Sequence, residues 1–119
     1  MSDVETRTEP DGSLVIQPHG AMGADRALPL RQLLIHAVRK VRPRRLIVEL
    51  GDVHTLDPIN LGTLAALCGV ADDHRVTLVL ANPPAEIRAE LLAAGVAAQR
   101  IHYTRETVSV ETPEVASMS

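Results

Sequence analysis

The sequence predicts an α/β domain, built as a mixed sheet of four to five strands with helices packed on it. Three observations predict it. Arg45–Leu50 and Val76–Ala81 are short, mostly branched-aliphatic runs, too short for helices and suited to buried parallel strands. A segment of helical periodicity follows each of them, and strand–helix–strand units require parallel pairing with right-handed crossovers. Near the amino end, Pro10-Asp11-Gly12 separates two strand-like runs with the turn chemistry of an antiparallel hairpin.

Composition bounds the rest. A chain of 119 residues is one domain with room for a real core. With one Tyr, no Phe and no Trp, that core has to come from Leu, Ile, Val and Ala. Stacking platforms for single-stranded nucleic acid are missing for the same reason. Net charge is −3. Arg42, Arg44 and Arg45 cluster around Pro43 and read as a solvated loop; a nucleic-acid patch would need a broader basic stripe, so no nucleic-acid partner is expected. Cys68 is the sole cysteine, which leaves no intrachain disulfide. The polar, acidic start is unlike a signal peptide, and no apolar run approaches the roughly 20 residues that span a bilayer. A cytoplasmic domain without membrane insertion is expected.

Taken in order, residues 1–12 read as an amino-terminal strand and turn, partly flexible, and 13–103 as the domain proper. Thr6–Glu9 and Ser13–Gln17 are the hairpin strands, and His19–Gly23 reads as a loop. Leu30, Leu33, Leu34, Ala37, Val38 and Val41 recur at helical spacing, in a helix started by Asp25 or Pro29 and ended before Pro43. After the Arg45–Leu50 strand, Leu61, Leu64, Ala65, Leu67, Cys68 and Ala71 carry a second helix, which Asp72-Asp73-His74 breaks. The spacing puts Cys68 on that helix's apolar side, as a buried structural thiol. Asn82-Pro83-Pro84 opens a third helix after the Val76–Ala81 strand. Ile87, Leu91 and Leu92 face inward there, and Gly95 stops the helix. Gln99–Tyr103 reads as an edge strand, and 104–119 as a polar tail, disordered or loosely docked.

The stretch Leu56-Asp57-Pro58-Ile59-Asn60-Leu61-Gly62-Thr63-Leu64 organises the chain. Asp57 suits the N-cap, where its carboxylate accepts from free first-turn amides, and Pro58 suits the first helical position. The helix's amino end then points out past the carboxyl end of the preceding strand, where open α/β sheets bind ligands and partners. Catalytic patterns are missing. His19, His36, His54, His74 and His102 show no metal-ligand spacing, and the chain has no glycine-rich phosphate loop and no Gly-x-Ser-x-Gly elbow. No enzyme, metal or cofactor is expected; an acid/base pair of His54 and Asp57 ranks third among the readings.

The order and spacing of these pieces resemble the STAS domain family of bacterial anti-sigma factor antagonists. The matching pieces are Gly20 with the helix to Val41, Leu46–Leu50, Leu56-Asp57 to Leu64, Val76–Ala81, Asn82-Pro83 and Ala94-Gly95-Val96, roughly Ser13 to His102. The resemblance implies a protein-interaction module whose partner is an anti-sigma factor with serine kinase activity, or another protein of such a pathway. In that family the Asp is commonly followed by two hydroxyl residues and Gly, and the second hydroxyl is phosphorylated. Here Pro58, Ile59 and Asn60 stand in those places, so the usual phosphoswitch is expected to be absent. Asp57, Pro58, Ile59, Asn60, Gly62 and Thr63 are the expected partner-binding residues, with Ile59 either an exposed anchor or the helix's first core residue. Thr55 and Thr63 are the hydroxyls nearest the turn that could take over as acceptors. The alternative is a STAS domain that binds a small ligand or nucleotide, or serves a lipid or other transporter.

Overall fold

A computed structural model describes residues 4–104. Its strands are β1 (Val4–Thr8), β2 (Leu14–Pro18), β3 (Gly20–Met22), β4 (Arg45–Glu49), β5 (Val53–Leu56), β6 (Thr77–Ala81) and β7 (Ile101–His102); its helices are α1 (Ala27–His36), α2 (Pro58–Asp73) and α3 (Ala85–Ala93). The main sheet runs β1-β2-β4-β6-β7. Only β1 is antiparallel to its neighbour, paired from Val4 opposite Pro18 to Thr8 opposite Leu14. The β2–β4, β4–β6 and β6–β7 pairs are parallel, crossed over by α1, α2 and α3 in turn. This is the mixed α/β sheet expected. Of the tail expected over 104–119, residues 105–119 lie outside the described residues.

Alternation along the strands divides the sheet into two faces. Ile16, Leu46, Val48, Leu78 and Leu80 pack in one cluster with Leu34 and Val38, Leu64 and Leu67 of α2, and Ile87 and Leu91 of α3. Leu, Ile, Val, Ala and Met fill this core without Phe or Trp. The opposite face carries Val15, Ile47 and Val79 in register across β2, β4 and β6, outside that cluster. Arg45 belongs to that face as part of β4, so the basic cluster is not all loop.

Helix ends follow local chemistry. Gly95, at φ 98°, ends α3: its N–H donates to the Leu92 carbonyl at 3.0 Å while Val96 N–H donates to that of Leu91 at 3.0 Å. This is the paired 5→2 and 6→1 closure of a Schellman motif. Arg75 takes the same left-handed role after α2, at φ 59°. Beyond His36 the first helix widens into a π turn, Ala37–Val41, and Arg42 closes it at φ 51°.

Three expectations need correction. His19–Gly23 is not all loop, and a further strand lies before the organising turn: β3 and β5 form a small parallel sheet, Gly20 opposite Val53 and Met22 opposite Leu56. The third helix begins at Ala85 rather than at the prolines, with Pro84 as an extended N-cap. Pro lacks the N–H, and the residue before a Pro avoids helical backbone, so Asn82-Pro83 stays outside the helix. The last strand shrinks to Ile101–His102, because Ala98–Arg100 forms a 3-10 turn instead. Thr104, where the expected tail begins, donates its N–H to Asn82 Oδ1 at 2.9 Å.

Candidate functional site

The small β3–β5 sheet leads directly into the start of α2. Asp57 N–H donates to the Met22 carbonyl at 3.0 Å, tying the cap residue to the end of β3. Asp57 then turns extended (φ −61°, ψ 144°), and its Oδ1 accepts from Ile59 N–H at 2.9 Å. Pro58 occupies the first helical position, where its missing N–H leaves nothing unsatisfied. The carboxylate of Asp57 is therefore spent on capping, which leaves the exposed His54 of β5 a poor candidate for an acid/base partner.

The residues expected at a docking surface divide into two sets. Pro58, Ile59 and Gly62 are exposed, while Asp57 and Thr63 are half-buried. Ile59 is 55% exposed, so of its two expected roles the inward core residue is excluded. A Cβ built on Gly62 would meet nothing within 4 Å, so no packing inside the domain requires glycine there. Thr63 donates its hydroxyl to the Ile59 carbonyl at 3.2 Å, the usual back-bond of a helical Thr, and Thr55 is exposed on β5.

Asn60 does not belong to the surface. It is fully buried, and its Nδ2 donates to the carbonyls of Met22 at 2.8 Å and Gly23 at 2.9 Å. One turn into α2, this side chain clamps the loop that leads from β3 into α1. Sequence reasoning missed that role because its partners lie 37 and 38 residues away. The only local signal was an amide residue at a first-turn position with no cap to make.

Cys68 is half-buried on α2, where its Sγ donates to the Leu64 carbonyl at 3.5 Å. Burial pushes its thiol above the ordinary range, with the Arg100 guanidinium opposing. Arg100 Nη2 contacts both Asp72 oxygens, at 2.8 and 2.7 Å, joining the turn before β7 to the far end of α2. That hydrogen bond raises the Arg100 pKa. Among the described residues no cluster of His, Cys, Asp or Glu is arranged to hold a metal ion.

A second concave region lies away from α2, over the outer sheet face. It is a groove of about 380 Å³ whose walls include Arg7, Gln17, Arg45, Glu49, Asn82 and His102. Glu49 accepts from Asn82 Nδ2 at 3.0 and 3.2 Å and from Gly51 N–H at 3.0 Å, so its carboxylate holds the ends of β4 and β6 together.

A capped, exposed helix start carried beyond a parallel sheet is the arrangement the sequence resemblance implied, and comparison with known families decides the matter. The family model described as "Mlab, STAS domain" matches residues 6–103. The chain belongs to the STAS domain family.

Solved structures agree on the fold. The phosphorylated form of SpoIIAA, a Bacillus cell fate determinant, is similar with a TM-score of 0.73 at 13% identity, covering 90% of this chain and 96% of that one. A serine-to-glutamate variant of RsbS from Moorella thermoacetica reaches 0.69 at 14% identity, covering 87% and 86%. The STAS domain of a SulP transporter from Vibrio cholerae reaches 0.61 at 18% identity, covering 80% and 76%. No curated protein sequence matches the chain. In this STAS domain no helix among the described residues is long and apolar enough to cross a membrane.

Proposed function

We propose that this STAS domain is a protein-interaction module of the anti-sigma factor antagonist type, acting in bacterial transcription control by docking the start of α2 onto a regulator. The observation that carries the reading is Ile59, more than half exposed in the first turn of a helix whose backbone is fixed by Asp57 and Asn60. A rigid turn presenting one apolar side chain suits a binding anchor, since little ordering entropy remains to be lost on contact. Pro58 stiffens the approach, and Gly62 leaves room for a partner's backbone one turn further on. Isoleucine accepts no phosphoryl group, so binding through this turn is set by abundance rather than by phosphorylation there. The partner is an anti-sigma factor with serine kinase activity or another member of such a pathway, in the cytoplasm, and the domain acts by contact rather than catalysis.

A pull-down with the purified protein, Ile59→Asp and Ile59→Ser tests this. The aspartate imitates the charge of a phosphorylated turn, and the serine restores an acceptor. Capture of an anti-sigma kinase by the wild type and its loss in Ile59→Asp support the reading, and ATP is then expected to label only Ile59→Ser. Equal capture by Ile59→Asp, or no such partner with the wild type, overturns it in favour of a transporter-accessory or ligand-binding STAS domain.

A further inference from the structure

The charge of the chain is strongly segregated. Between Arg26 and Val48 lie seven of its 12 basic residues and none of its 15 acidic ones. The fold turns this block into a surface. Leu30, Leu34, Ala37 and Val38 face the core, while Arg31, Arg39, Lys40, Arg42 and Arg44 are all exposed, with His36 among them. Arg31, Gln32, Ile35, His36, Arg39 and Lys40 enclose a groove of about 360 Å³ on the outer side of α1. Leu28 (59% exposed), in the first turn of α1, and Val41 (52%), at the end of the π turn, are two of the four large hydrophobic residues left exposed among the described residues.

We propose that the outer face of α1 and its π turn is a contact surface for an anionic phospholipid bilayer. Basic side chains at a helix end offset its dipole, which accounts for Arg39, Lys40 and Arg42 but not for Arg31 or Arg44. Among the described residues none of Arg31, Arg39, Lys40 and Arg44 is held in an ion pair, and the Arg42 guanidinium makes only a hydrogen bond to the Arg39 carbonyl at 3.1 Å. A specific acidic protein would be read best by cations fixed in place; a plane of mobile phosphate headgroups needs only their number. Long basic side chains with exposed Leu28 and Val41 fit the boundary between headgroups and acyl chains, whereas a nucleic-acid backbone has no place for those apolar groups. The acidic remainder of the molecule would be repelled, which orients the domain with α1 against the bilayer. This surface shares no residue with the start of α2, so the proposal stands independently of the docking function.

Vesicle co-sedimentation of the full chain tests it, with phosphatidylglycerol–phosphatidylcholine vesicles against pure phosphatidylcholine at low ionic strength. Binding to the anionic vesicles alone, released by salt, is expected. Arg39→Glu with Lys40→Glu should weaken it about tenfold or more. Arg88→Glu, an exposed charge on α3, should leave it unchanged within about twofold, by the same count of roughly equal contributions only from cations near the surface. Arg31→Gln with Arg44→Gln, which removes charge without reversing it, should weaken it in the same direction, and thermal melts confirm that each variant is folded. No binding to anionic vesicles, equal binding by the folded charge variants, or tighter binding to polyglutamate or duplex DNA than to anionic vesicles at matched charge and salt overturns the proposal.

Discussion

Asn60 reaches from the first turn of α2 to the Met22 carbonyl, 2.8 Å away, and this contact sets where the helix starts relative to the small β3–β5 sheet. Both of its amide hydrogens are used, the second on Gly23. Asn60→Ala loses two buried hydrogen bonds, so about 2 kcal/mol of stability is expected to go. Asn60→Asp should cost more, about 3 kcal/mol, because a carboxylate would face two carbonyl oxygens with nothing to donate. Urea unfolding measures both, and Asn60→Asp should recover partly as the pH falls and its carboxyl gains a proton. An aspartate variant as stable as the wild type at neutral pH would mean the amide is not the clamp.

Asp57 contributes in a different way, through the single bond from Ile59 N–H to its carboxylate. Asp57→Ala should lose about 1 kcal/mol, and Asp57→Ser should keep most of it, since either oxygen serves an N-cap. A circular-dichroism melt compares them. Equal loss in both variants would point to the charge rather than the cap geometry.

Gly62 and Gly69 form a matched pair on α2. Both are exposed, and neither would crowd anything with an added Cβ. Gly62→Ala and Gly69→Ala should therefore each stabilise the domain by about 0.5–1 kcal/mol through helix propensity. If partners dock at the start of α2, only Gly62→Ala should weaken capture in the pull-down. A loss of capture in Gly69→Ala alone would move the contact surface two turns along the helix.

Cys68 makes stability depend on pH at the alkaline end. Burial raises its pKa in the folded chain, so the folded state keeps the thiol proton to higher pH than the unfolded state does. The unfolded state then binds fewer protons, and stability falls as pH rises above the ordinary thiol range. Below that range both states are protonated and no effect is expected. Urea midpoints measured across this range should show the decline in the wild type and less of it in Cys68→Ala. At neutral pH, iodoacetamide should react far more slowly with the folded chain than in urea.

Much of this molecule was legible in the residues themselves. Arg45–Glu49 and Thr77–Ala81 carry unbroken apolar runs, Asp57-Pro58 carries capping chemistry, and Gly95 carries the left-handed stop. Each of these signals is local, because propensity, capping and φ are set within a few residues. That position 59 is an isoleucine, with no hydroxyl to modify, was equally plain, since it depends on residue identity alone. Gly20–Met22 and Val53–Leu56 were not legible as strands. Three or four residues carry no measurable period, and each is a strand only because the other pairs with it.

Local chemistry thus determined the strand–helix alternation, the capped turn and its missing hydroxyl. Tertiary structure decided which side chains of that turn face water. Ile59 and Asn60 are neighbours in the first turn of one helix, yet one points outward and the other is fully buried. A helix advances about 100° per residue, from its 3.6 residues per turn, so the boundary between surface and core falls between adjacent positions. Where it falls here is set by Met22 and Gly23, far away in the chain, whose carbonyls need the Asn60 amide. The basic face of α1 arose the same way: the sequence holds the charges, and packing of the helix against the core gathers them on one side.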